Sequence, residues 1–533
     1  MTEGQSRLKS QAEAFKGTML WSKIKSESIE ENGLYIDLLG NANSWICKGE
    51  KKRSTLSRKF ISDGNAKLIE NDLNGALKLF NRGMRFAEDN EHVCLANFWR
   101  SSCYRRLNLF ERSLEDIKRA KQIDWKKKLE RRLERRRKFC NKKLNLKATS
   151  RKGIITVNGK TYKKLPFVSS AIKIEKNDEF GRFVTATNDI HIGDTLLIEK
   201  SYVRVSTADE CSKCAKTKMN FIPCDNCVDA MFCDKDCVDN DFHSFECGKI
   251  FYKPNIDDSK VTSCILRSIV VAINTFTTVD DLIAFVEHIR LTDPNEIIVF
   301  AESPIDKYKA FFKLSTYITD KCIWDFRNQA KDIYDSIMSS TDYAAKFDTL
   351  AKQRFLVHLI CHHAAIVRSN GFPTNSGIPG VNDDDFDCTI ALESSYFNHS
   401  CLPNAVKLYK DDITVIRAIQ PIKAGQQIFV DYLQGDLTKE TSRERNEQLE
   451  FAYKFTCQCE LCVNGIQKAP TLRYHLDYVF VKSKMDRCDD YIIPIRKNCV
   501  TFLQNHPKNV SSQVGYYMLS TLAFIYQKEL SKQ

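Results

Sequence analysis

Between residues 211 and 247 eight metal-ligating side chains follow the pattern C-x2-C-x9-C-x2-C-x5-C-x3-C-x5-H-x3-C: Cys211, Cys214, Cys224, Cys227, Cys233, Cys237, His243 and Cys247. Eight ligands suit two tetrahedral zinc ions, one held by four cysteines and one by three cysteines and a histidine. A two-residue spacer lets both sulfurs of a pair face one point. A three-residue spacer places Cys233 with Cys237, and His243 with Cys247, one helical turn apart on a shared face. Neither site keeps an open coordination position, so both metals are expected to be structural. A second set lies downstream, where C-x-C-x2-C at Cys457, Cys459 and Cys462 is one ligand short of a tetrahedron and Cys401 can supply the fourth.

The remaining ten of the 21 cysteines are scattered. The opening MTEGQSRLKSQAEAFKG carries no apolar segment of signal-peptide type, so secretion is not expected and a disulfide framework is excluded in favour of metal binding. The longest uncharged apolar stretches, such as residues 269 to 273, fall far short of the roughly 18 residues of a membrane span. The length of 533 residues suits about three to four domains, and a hydrophobic content of 43% with 32 Phe and 19 Tyr excludes global disorder. Eleven cysteine thiolates and three zinc dications lower the formal +13 by five, to +8. Much of that excess lies in residues 118 to 147, so a whole-surface nucleic-acid binder is not expected.

From Ser57 the pattern is helical and repeats. Leu73, Ala76, Leu77, Phe80 and Gly83 are matched 37 residues later by Phe110, Ser113, Leu114, Ile117 and Ala120. Small residues beside a bulky one suit close packing of two helices, and the pattern resembles the second helix of a tetratricopeptide (TPR) repeat, an ordinary helical hairpin being the alternative. Residues 124 to 147 continue as a basic helix, readable as a solvated face, a nuclear-import signal or an anionic contact surface. Near Lys152 the texture changes to short runs of alternating Val, Ile and Thr, which predict sheet. Helices are expected from Lys260 to Ser369, extended chain from Thr389 to Val430, and helices again to the end. His358 and His362 stand at i and i+4, but Leu359 replaces the glutamate that a zinc hydrolase needs, so core or surface histidines are expected.

Downstream lies SSYFNHSCLPNA, then KAGQQIFVDY ending at Tyr432, then ERNEQLEFAYKFTCQCELC. These segments together resemble the SET domain of protein lysine methyltransferases. The finger, with Phe232 before its fifth ligand, resembles the MYND type, and the combination resembles the SET- and MYND-domain (SMYD) family, TPR-bearing branch. The resemblance implies an α+β fold: a split SET-type β domain with an inserted MYND finger and a helical insertion, flanked by N-terminal TPR-like and short C-terminal helical regions. The corresponding boundaries are an N-terminal extension at 1–56, the TPR-like region with the basic helix at 57–150 and the first part of the SET domain at 151–210. The finger follows at 211–247, the helical insertion at 248–384, core SET at 385–435, a post-SET zinc segment at 436–465 and the C-terminal helices at 466–533.

By the same resemblance Cys211, Cys214, Cys233 and Cys237 share one zinc, Cys224, Cys227, His243 and Cys247 a second, and Cys401, Cys457, Cys459 and Cys462 a third. Gly181 and Arg182 mark a loop near S-adenosylmethionine, Asn398 and His399 contact that cofactor with Tyr432, and Phe455 packs beside its adenine. Tyr432 and Tyr453 line the channel for the substrate lysine. Ser263 to Arg267 is a candidate for further cofactor contacts, and Gln426 and Gln427 stand after Gly425 where the family favours acidic residues. The expected activity is methyl transfer from S-adenosylmethionine to a protein lysine, histone or non-histone. A non-catalytic adaptor recruiting partners to transcription or chaperone complexes is the alternative. Protein partners are expected at the MYND and TPR-like regions, with no direct nucleic-acid or membrane binding, a monomeric state, and residence in cytoplasm and nucleus.

Overall fold

The computed structural model describes residues 46–48, 50–121, 127–146, 155–162, 165–207, 209–217, 219–239, 241–251, 259–293, 296–298, 301–316, 320–371, 388–433 and 440–532. Residues 1–45 and 49 of the N-terminal extension lie outside them. Two compact units emerge, each assembled from separated stretches: Ile154–Arg204 with Lys260–Gln533, and Trp45–Gly153 with Val205–Ser259.

In the second unit the helices Ser54–Ile69 and Leu73–Phe86 form one hairpin, and Asn90–Arg106 and Phe110–Lys121 another. Asp72 and Asp89 cap the second and third helices by accepting the backbone N–H of Gly75 and His92. The 37-residue repeat is now explained: both matched segments are second helices of hairpins, and Ala76, Leu77, Phe80, Ser113, Ile117 and Ala120 are buried. Gly83 is needed for close approach, since a Cβ there would meet Ile61 Cγ1 at 2.8 Å. Helix Lys127–Leu146 follows. Its inner face buries Leu133 and Cys140 and lays Arg132 and Arg136 over the Phe98 ring, whereas Arg131, Arg135, Lys138 and Lys142 are exposed.

These helices share a core with the cysteine finger, Phe80, Met84 and Tyr104 lying in one cluster with Phe221, Met231 and Phe232. At its centre the fully buried Arg100 binds Asp116 through two hydrogen bonds of 2.8 and 2.7 Å and reaches the Asn81 amide oxygen at 2.8 Å. Tyr104 donates its hydroxyl to Met219 O at 2.7 Å, Arg119 donates to Asn220 O, and Asn220 donates to Asp116.

The first unit is built on a five-stranded sheet in the order Ala405–Lys410, Ile413–Ala418, Thr195–Lys200, Leu165–Ser169, Thr161–Tyr162. The period of two sends Leu197 and Ile416 to one core and Ile198, Leu408 and Val415 to another beneath the C-terminal helices Leu476–Lys484, Cys488–Asn505 and Gln513–Lys532. Strand Ala405–Lys410 is an edge, and Gln527 covers it. Its amide accepts from Tyr409 N at 2.9 Å and donates to Tyr409 O at 2.7 Å, taking the place of a further strand. The stretch expected to be helical holds Ser259–Thr275, Val279–Ile289, Pro304–Phe312, Asp320–Met338 and Leu350–Asn370. His358, His362 and His363 lie on the last of these as packing residues. His363 meets Ser268 Oγ at 2.8 Å, and His362 donates to Phe312 O at 3.1 Å. Among the described residues no single helix is long and apolar enough to cross a membrane.

Candidate active site and metal centres

The ligand sets come together as three clusters: Cys211, Cys214, Cys233 and Cys237; Cys224, Cys227, His243 and Cys247; and Cys401, Cys457, Cys459 and Cys462, with the ligand atoms of each within 4.8 Å of one another. Four sulfurs about 2.3 Å from a tetrahedral zinc lie roughly 3.8 Å apart. The Cys214–Cys233, Cys233–Cys237, Cys224–Cys247 and Cys401–Cys462 sulfur separations are 3.6, 3.5, 3.8 and 3.5 Å, so the donor sets fit zinc.

One expectation needs correction. Cys233 does not share a helical face with Cys237, because the helix runs from Lys235 to Val238 and Cys233 precedes it. Asp234 caps that helix by accepting from Cys237 N at 2.8 Å, and this capping turn brings the two sulfurs together. The other pair follows the helical spacing, with Cys247 N donating to His243 O at 2.8 Å.

The candidate active site grows out of a parallel pairing of Asn398–His399 with Phe429–Val430. Parallel strands need a crossover, and here it is the hairpin of Ala405–Lys410 and Ile413–Ala418. Asn404 fastens the crossing, accepting from Phe429 N at 2.8 Å and donating to Gln427 O at 2.9 Å. The pairing carries His399 against Tyr432. His399 Nδ1 accepts from Tyr432 N at 2.9 Å, which leaves the proton on Nε2, 3.2 Å from Cys401 Sγ. Burial pulls the imidazole down to about 4, so it is neutral near pH 7. Both ring nitrogens are thus engaged within the protein, and the side chain acts as a strut between the third cluster and Tyr432.

The Tyr432 hydroxyl donates to Phe397 O at 2.8 Å. Its ring lies 4.8 Å from that of Tyr453 and 6.5 Å, edge-on, from that of Phe455, while Phe455 is 6.0 Å from His399. Burial raises the Tyr453 hydroxyl to about 12, keeping it protonated. Asn398 donates to Phe180 O at 3.4 Å, which brings the turn before Gly181 to the same place. Gly181 has φ +64°, with no atom within 4 Å of where a Cβ would stand, so the backbone is open there. Arg182, one residue on, faces elsewhere: it donates to Lys313 O at 2.7 Å and lies over the Tyr396 ring. In the candidate segment Ser263 to Arg267, Arg267 is buried and donates to Arg204 O at 2.6 Å.

Two residues of the site escaped the sequence reading. Asp431 accepts from Leu433 N at 2.9 Å, and burial raises its carboxyl to about 8. Arg445, in a helix whose sequence looks wholly solvated, is buried beside Cys462.

A family model described as SET domain matches residues 181–433. The N-lysine methyltransferase SMYD2 of Mus musculus is 27% identical over 293 residues, covering 53% of this chain and 58% of the relative; that of Homo sapiens is 26% identical with the same coverage. A SET and MYND domain-containing protein of Dictyostelium discoideum is 25% identical over 346 residues, 56% of this chain and 82% of its own length. This chain therefore spans a little over half the length of the SMYD2 relatives that it matches. With the SET match, the finger's ligand grouping and the third cluster beside Tyr432 all in one chain, it is similar to the SET- and MYND-domain (SMYD) proteins.

Proposed function

We propose that the protein is a protein-lysine N-methyltransferase that takes its methyl group from S-adenosylmethionine. The observation that carries the reading is the convergence of Tyr432, Tyr453 and Phe455 with Asn398 and the open backbone at Gly181. When bound, S-adenosylmethionine supplies an electrophilic methyl group, so the protein needs no nucleophile of its own. The aromatic rings exclude water and disfavour the charged ammonium of an incoming lysine by desolvation, which favours the neutral amine that can attack. The Tyr432 hydroxyl donates a hydrogen bond to Phe397 O, so its oxygen would serve as an acceptor that orients an incoming amine. The zinc clusters, with all positions filled by protein ligands, support shape and not chemistry. Recruitment of protein partners is a second reading, favoured by the common core of finger and helices and by the exposed residues Arg131, Arg135, Lys138 and Lys142.

The test pairs calorimetric titration of S-adenosylmethionine with single-turnover methylation on a lysine peptide array. Tyr432→Phe is expected to keep cofactor affinity within about twofold and to lower turnover by about 10²-fold. Folded, zinc-replete wild type that binds no cofactor would overturn the enzyme reading in favour of recruitment.

A further inference from the structure

A zinc ion held by four thiolates carries a net charge of −2, and burying that charge without compensation is costly. At the third cluster His399 Nε2 lies 3.2 Å from Cys401 Sγ. A cation stands beside Cys462. Arg445, in the first turn of helix Ser442–Tyr453, is 2% exposed. One terminal nitrogen donates to Glu440 O at 2.7 Å. The other donates to Ser442 Oγ at 3.2 Å and faces Leu461 O at 3.5 Å and Cys462 Sγ at 3.6 Å. A planar guanidinium can satisfy these acceptors together, whereas an ammonium on a flexible stem cannot. The adjacent Asn446 accepts from Cys457 N at 2.7 Å, so the same helical turn grips two of the four ligand segments. Tyr453 stands eight residues on in the same helix.

We propose that Arg445 is the positioning residue of the third zinc site, offsetting thiolate charge at Cys462 and tying the helix that carries Tyr453 to the metal. The inference concerns metal retention and stands whether or not the chain transfers methyl groups. Full-length zinc-replete protein is challenged with a colorimetric chelator and zinc release is followed per chain. Wild type is expected to hold three zinc ions. In Arg445→Met one of the three is expected to leave at least about tenfold faster, as loss of a hydrogen bond to a charged group implies. The two finger zincs serve as an internal control and are expected to leave at the wild-type rate. Arg445→Lys, which keeps the charge without the planar fork, is expected to show a smaller, equally selective acceleration, and it carries the test alone if the methionine variant does not fold. Wild-type release from either variant, equal acceleration of all three ions, or a lysine variant as fast as the methionine variant would each overturn the proposal.

Discussion

The two nitrogens of His399 can be removed one at a time. Its side chain has no solvent exposure, and it holds Tyr432 N through Nδ1 and Cys401 Sγ through Nε2. An asparagine oxygen stands close to where Nδ1 stands, and a glutamine amide nitrogen close to where Nε2 stands. His399→Asn therefore keeps the acceptor for Tyr432 and loses the donor to Cys401; His399→Gln does the reverse. Loss of a hydrogen bond to a zinc-bound thiolate costs about 1.5–3 kcal/mol, and leaving the partly buried Tyr432 N–H without its acceptor costs up to about 1–3 kcal/mol. Urea unfolding is thus expected to show similar losses for the two. What separates them is function: His399→Asn should release the third zinc faster under chelator, whereas His399→Gln should retain it and lose turnover as Tyr432 shifts. Equal zinc release from the two variants, or faster release from His399→Gln, would refute the strut.

Acid should weaken the first unit through its buried histidines. Burial lowers His358 to about 3 and His362 to about 4, so the folded chain stays neutral at both while the unfolded chain gains protons below about 6.5. Stability is expected to fall from pH 6.5 toward 4 by up to about 1.4 kcal/mol per pH unit per histidine, and denaturant unfolding of His358→Met between pH 7 and 5 should show a flatter slope than wild type. In the second unit, Asp116→Ala leaves Arg100 buried without its carboxylate and should cost about 3–5 kcal/mol. Hydrogen exchange should then rise selectively at Met219 to Phe221, whose backbone or side chains bond to Tyr104, Arg119 and Asp116.

Elements were legible in the sequence where a single period governs them. Thr195–Lys200 and the hairpin Ala405–Lys410 with Ile413–Ala418 alternate because each strand faces two different cores, and the 37-residue repeat is visible because both segments fill the same place in a hairpin. The ligand residues were legible because closely spaced cysteines mark metal sites, whereas the grouping of the finger's pairs on shared metals came from the family resemblance. Long-range pairings were not. Nothing in the motif says that Arg182 turns to Lys313, 131 residues away, or which nitrogen of His399 meets Tyr432. Arg445 was missed because a buried charge in a polar helix has the same sequence as an exposed one, and Asp234 because a capping side chain and a solvated one look alike.

The amide of Gln527 does more than complete the hydrogen bonding of Tyr409. A sheet edge with open backbone groups is a template for any other extended chain, including another molecule of the same protein. Here the template is covered by one side chain on helix Gln513–Lys532, which also packs Leu519, Leu522 and Tyr526 into the core beneath the sheet. Fraying of that helix would therefore expose a pairing edge and its apolar underlay in the same event. The C-terminal helix thus acts as a safeguard against intermolecular strand addition, and its loss would be expressed as self-association.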